Sequence, residues 1–256
     1  ASATSLRITV ENLAAPNGLA ITPVFAAFHN GNFDAFSQGG AVTAGVESVA
    51  EVGDSSGVAG ELTAADPNAV SVNIAAAGNG VPPIEPGEIG QAILQVLNPS
   101  SQRFLSILAM IIPSNDTFIG NDDPTAFEIF DGTGAFNGPF SIDITGLFIY
   151  DAGSEVNDPT DGAAFVAGVN GALGTSEGGV VTQGLFDLAD FAGITTATGG
   201  TLDGSLIDFA ADPAGFLVAR VTVEAVPLPA ALPLMLGGLA VFGVVASKRR
   251  KSAVVA

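Results

Sequence analysis

A run of 19 residues without a charge, 228–246, divides this chain of 256 into two parts that must fold in different solvents. Val226-Pro227-Leu228-Pro229-Ala230 leads into it, and Lys248, Arg249, Arg250 and Lys251 follow it. As a helix rising ~1.5 Å per residue, the run would reach ~28 Å, close to the thickness of a bilayer's hydrocarbon core. The basic cluster behind it reads as a stop-transfer signal retained on the cytoplasmic side. Residues before 226 are therefore expected outside that membrane. Ala1-Ser2-Ala3 resembles the small-residue context of signal-peptide cleavage, so a leader is expected to have been removed ahead of it.

Charge follows the same division. All 26 acidic residues lie before residue 226, with only Arg7, Arg103 and Arg220 as basic partners, so this part carries a formal charge of −23. Such a surface repels nucleic acid and anionic lipid, which excludes nucleic-acid binding, and it attracts divalent cations. It also resists aggregation in a crowded matrix. The chain has no cysteine, so its stability must come from a core, to which bound ions could add, rather than from disulfides.

About 225 residues suit one all-β domain. Short runs rich in Val, Ile, Thr and Phe, punctuated by Gly, Pro, Asn and Asp, predict strands over 6–13, 21–29, 69–77, 104–112, 141–150 and 216–226; 88–97 reads as strand or helix, with the turn-like Pro86-Gly87 and Asn98-Pro99 at its ends favouring a strand. A short helix is predicted over 42–52, and 162–214 reads as loops with short strands. The first and last strands share a pattern, Arg7-Ile8-Thr9-Val10-Glu11 and Arg220-Val221-Thr222-Val223-Glu224, which suggests that the two ends pair.

Two acidic loops follow the two most apolar strands. One contains Asp116 just past a proline, and the other contains Asp151 and Glu155 four apart with Gly153 between them. Calcium takes six to eight oxygens, often carboxylates from adjoining loops. Three carboxylates on two loops could build such a site. By spacing alone, solvated turn residues are the better reading in a chain this acidic.

The residues around these acids carry more. Ile112-Pro113-Ser114-Asn115-Asp116-Thr117-Phe118-Ile119-Gly120 and Tyr150-Asp151-Ala152-Gly153-Ser154-Glu155 resemble two motifs of the spondin N-terminal domain known from F-spondin and mindin. Residues 25–34 and 45–54 also resemble bacterial members, and the likeness spans most of 6–226. The resemblance implies an all-β, C2-like antiparallel β-sandwich over 1–225 with one structural Ca2+ held by Asp116, Asp151 and Glu155. The chain departs from the family in having Thr117 where a Trp is usual, and in lacking the cysteines of animal members.

The tail over 226–256 resembles the VPLPA variety of PEP-CTERM-like sorting signals. That implies a C-terminal transmembrane helix, processing by an exosortase-type transpeptidase, and a destination at the surface or in the extracellular matrix of a Gram-negative bacterium. A plain membrane anchor is the alternative.

Enzyme motifs are weaker. Gly53-Asp54-Ser55-Ser56-Gly57 and Gly174-Thr175-Ser176-Glu177-Gly178 match a nucleophile elbow by letter, but neither reads as strand-turn-helix. His29 is the sole histidine, which excludes an imidazole-rich zinc site. The expected function is that of a non-enzymatic, exported calcium-binding adhesion or matrix protein, whose partners would be matrix polysaccharide or surface protein. The alternatives are a calcium-dependent lectin-like binder and, behind it, a secreted hydrolase.

Overall fold

The computed structural model describes residues 2–77, 83–184, 188–207 and 212–226. The chain divides into two compact units, Ala1–Ala225 and Val226–Ala256. The expected transmembrane helix and basic end lie outside the described residues. Among those residues, no helix is long and apolar enough to cross a membrane.

Two antiparallel sheets face each other. The smaller has the order β5-β1-β11-β8, from β1 (Thr4–Asn12), β5 (Ile89–Val96), β8 (Phe140–Thr145) and β11 (Leu217–Ala225). The larger has the order β10-β9-β7-β6-β3-β4, with β2 (Ala20–Ile21) added beside β6. Its other strands are β3 (Val24–His29), β4 (Val70–Ile74), β6 (Phe104–Ile112), β7 (Thr117–Gly120), β9 (Ile149–Asp151) and β10 (Thr182–Gln183). The expected pairing of the two ends is present, with β1 antiparallel to β11 and Thr9 opposite Thr222.

Hydropathy explains the layers. On β1, Leu6, Ile8 and Val10 are buried and alternate with Arg7, Thr9 and Glu11, so one face packs inward and the other meets solvent. β6 has no such alternation. Ile107, Ala109 and Ile111 enter the core between the sheets, while Leu108 enters a second core on the opposite face. A strand covered on both sides favours apolar residues along its whole length, which accounts for the run at 104–112, interrupted only by Ser106.

The second core is closed by α1 (Ala44–Val52) and α2 (Ser56–Ala65), which bring Val46, Val49, Val58 and Leu62 against Phe25, Phe118 and Tyr150. The first unit is thus a β-sandwich with a helical layer over its larger sheet. Thr43 caps α1 by accepting from the Val46 N–H at 3.2 Å. Glu61 of α2 reaches the same helix start, accepting from Gly45 N at 3.0 Å and Thr43 Oγ1 at 2.8 Å. A carboxylate there satisfies amides that have no partner within the helix, and it suits the positive end of the helix dipole.

Two expectations needed correction. The single strand expected over 141–150 is two strands in different sheets. Thr145 accepts from the Leu147 N–H and turns the chain through a short 3-10 segment, Gly146–Phe148, between β8 and β9. Second, α2 was not expected. Its inward face is only Val58 and Leu62, too sparse to show a helical period.

Candidate functional site

The two acidic loops lie side by side because β7 pairs with β9, placing Thr117 opposite Asp151. Asp116, immediately before β7, is 0 % exposed. Its Oδ2 accepts from the amides of Ser154 at 2.7 Å and Glu155 at 3.0 Å, and from Ser154 Oγ at 3.3 Å. Its carbonyl accepts from Ala152 N at 3.1 Å. One residue therefore fastens the 151–155 turn to the end of the neighbouring loop. Gly153 at φ 65° supplies the left-handed conformation that the turn requires. Asp151 stabilises the turn from within, accepting from Gly153 N and from Asn157 Nδ2, both at 2.7 Å.

Glu155 is 6 % exposed. Its carboxylate lies against Gly174, where an added Cβ would stand 2.2 Å from the carboxyl carbon. Asn115 holds the next part of the rim, donating to the Asp161 carbonyl at 2.7 Å and accepting from Asp158 N at 3.0 Å.

Two carboxylate oxygens here, Asp116 Oδ1 and Glu155 Oε2, are buried and have no hydrogen-bond partner. Burial first, then the charge of Asp151, pushes the Asp116 carboxyl up to about 7 against the pull of its three donors. Burial first, then the charge of Glu51, pushes Glu155 up to about 7 as well. Glu51, on α1, is itself raised by burial, partly offset by the Ser154 hydroxyl that it faces. Asp161 adds further repulsion at Glu155. No described cation answers these acids: Arg103 pairs with Glu128, Arg220 pairs with Asp143, and Arg7 lies on β1.

Buried acids without a counter-charge are expensive, and either a proton or a bound cation relieves them. The all-oxygen donor set suits a hard cation such as Ca2+. Among the described residues, however, no three His, Cys, Asp or Glu side chains are gathered as a ready-made metal cage. The structure brings Asp116 to the turn that carries Asp151 and Glu155. It leaves Asp151 engaged with Gly153 and Asn157 rather than converging with the other two acids. The residues therefore fit a cation in donor type and in unmet bonding capacity, and loading would require side-chain rotation.

Glu51 and Asp161 belong to the cluster but were not singled out from sequence. Glu47 and Glu51, four apart on a helix, read as a solvated face. Only the docking of α1 onto β6 and β7 turns Glu51 inward toward Ser154. A cleft of about 430 Å³ opens beside the site, walled by Asp151, Gly153, Asn157, Glu177 and Thr182.

His29 lies elsewhere and is fully buried. Its Nδ1 accepts from Gly31 N at 3.1 Å, which places the proton on Nε2, where it is donated to Ser106 Oγ at 2.9 Å. Burial holds its pKa down at about 4, against the opposing charge of Asp66. Neither serine of the elbow-like motifs joins it. Ser55 donates to Asn73, between two helices rather than after a strand, and Ser176 sits in a bridge with Glu155.

Against known proteins, the family model described as Spondin_N matches residues 16–163, more than half of the chain and all three acids first singled out. No curated protein sequence matches.

Proposed function

The chain belongs to the Spondin_N family, which points to an extracellular or cell-surface protein, and from that premise we propose that it is an exported, calcium-binding adhesion or matrix protein without catalytic activity. Its sandwich is read as C2-like. Asp116, Asp151 and Glu155 would hold one structural Ca2+, with Asp116 already fastening the loop that carries the other two.

One observation carries this reading: Asp116 Oδ1 and Glu155 Oε2 are buried, unpartnered and out of reach of any described cation. An ion there would cancel the repulsion and lock the β6–β7 loop to the β9 turn. Melting in calcium and in chelator tests it. The wild type should melt higher in calcium and Asp151→Asn should not, whereas equal melting of the wild type in both would remove the ion.

The tail is proposed to be a VPLPA-type sorting signal with a transmembrane helix, cut by an exosortase-type enzyme at a Gram-negative envelope. The mass of protein recovered from the cell surface decides this, because processing removes the segment after about Val226. A lectin-like role is the second reading. The cleft beside Asp151, with the polar residues Asn157, Glu177 and Thr182 among those lining it, favours it by lying next to the proposed ion. The buried His29–Ser106 pair argues against a hydrolase built on His29, since substrate would have to reach a group in the core.

A further inference from the structure

On β5, β1 and β11, the solvent face of the smaller sheet repeats itself about its own centre. Strand register fixes three rows across it. The middle row is Gln91, Thr9, Thr222 and Ser141. On one side of it lie Ile93, Arg7 and Glu224, and on the other lie Ile89, Glu11, Arg220 and Asp143, the last already paired with Arg220. Side chains on these strands alternate, so all three rows project away from the core. Ile93 and Ile89 are 60 % and 43 % exposed, large values for isoleucine on an otherwise polar face. Of the described basic residues, Arg7 alone makes no ion pair, although the chain carries a net charge of −19.

From this pattern we propose that the face is a self-association surface, with a second copy of the chain stacked on it across a two-fold axis along the middle row. Such an axis lays each outer row over the opposite outer row of the other copy. Arg7 then meets the partner's Glu11, Glu224 meets the partner's Arg220, and Ile93 meets the partner's Ile89. The middle row meets itself, hydroxyl against hydroxyl and amide against amide. Arg7, the described arginine without an ion pair, gains the partner's Glu11, Arg220 is shared between its own Asp143 and the partner's Glu224, and the exposed isoleucines cover one another. A face with the same charges in another order would put like against like under this operation. The interface is isologous and closes at two copies. Packed sheets cross at about 30°, which displaces the edge strands most and the central pair β1–β11, where the four charges sit, least.

Size sets the strength. Four strands about 4.8 Å apart, with about six residues each at about 3.4 Å, offer roughly 400 Å² per copy. A stable dimer usually buries about 800 Å² per partner. The association is therefore weak, opposed at low salt by the net negative charge that each copy carries, and significant only where copies are crowded, as on a surface or in a matrix. It does not depend on the calcium reading.

Charge variants test it, using the full chain in detergent and sedimentation velocity over a range of concentrations. The wild type should shift from monomer toward dimer as concentration rises. Arg7→Glu and Glu11→Arg should each weaken this at least tenfold, because each brings like charges together in both symmetry-related contacts. An equal mixture of the two variants should restore association, since Glu at 7 of one copy then meets Arg at 11 of the other, and Glu11 of the first meets Arg7 of the second. A wild type that stays monomeric overturns the proposal. Association that persists unchanged in both variants, as contact through the apolar tail would give, also overturns it, and so does a mixture that behaves like its components.

Discussion

Replacing Asp116 by Asn should have opposite consequences with and without calcium. In the metal-free protein, folding takes this carboxyl from its ordinary value of 3.8 to about 7. At ~1.4 kcal/mol per tenfold change in proton affinity, an ionised Asp116 then costs the folded state on the order of 4 kcal/mol at pH 8. The sign follows from the direction. A carboxyl whose folded pKa is raised contributes its stability below the unfolded value, and loses it as pH rises through about 7. Asn keeps an oxygen to accept from the Ser154 and Glu155 amides and carries no charge, so it escapes this penalty. Metal-free Asp116→Asn should melt above metal-free wild type at pH 8, by roughly 8–16 °C at ~2–4 °C per kcal/mol for a unit of this size. The two should converge near pH 4. With calcium at ten to a hundred times its Kd, the wild type should gain ~1.4–2.7 kcal/mol and the variant nothing. The assay is thermal melting from pH 4 to 8 in chelator and in calcium. The quantity to read is the difference between the two proteins, because His29 titrates in the same window with the opposite sign. Metal-free Asp116→Asn melting at or below wild type at pH 8 would refute the reasoning, since Asp116 would then be a net stabiliser without any ion.

Three further outcomes are expected. Gly174→Ala removes no carboxylate, but its methyl would stand 2.2 Å from the Glu155 carboxyl carbon; calcium affinity measured by titration should fall about tenfold, and an unchanged affinity would take Glu155 out of the site. Glu61→Ala strips the acceptor from Gly45 N and Thr43 Oγ1 and should cost about 1 kcal/mol, seen as faster hydrogen exchange in the first turn of α1. His29, with a pKa lowered from 6.5 to about 4, stabilises the fold above pH 6.5 and loses that contribution as pH falls toward 4. His29→Gln should therefore flatten the acid limb of the melting curve between those values, and an unchanged limb would show that burial does not suppress the imidazole's charge.

Strands came through in the sequence where one face is wet or both are dry over a full length. β1 and β11 alternate cleanly, and their shared Arg-x-Thr-Val-Glu text corresponds to an actual pairing, with Thr9 opposite Thr222. β6 was legible for the opposite reason, since burial on both sides leaves no polar position in its interior except Ser106, which bonds to His29. The break between β8 and β9 was hidden because apolar residues continue through Gly146–Phe148 while the chain changes sheets. A hydropathy pattern records burial and does not record which layer provides it. α2 was hidden because two inward residues make no periodic signal.

The candidate site divides in the same way. Asp151 and Glu155 share a local turn, so their spacing is visible in the letters. Asp116 comes to them only through the β7–β9 pairing, and the similarity of its segment to a known motif stood in for that contact. Glu51 has neither advantage. It reaches the cluster through helix packing, and a helical acid with another four residues away gives no sign of facing inward.

Calcium binding is tested most directly by isothermal titration of the purified chain at pH 7.5, beside Asp116→Asn, Asp151→Asn and Glu155→Gln. The account predicts one ion per chain for the wild type, and binding lost or weakened at least tenfold in each of the three variants. No binding by the wild type, or binding that survives all three substitutions, would contradict it.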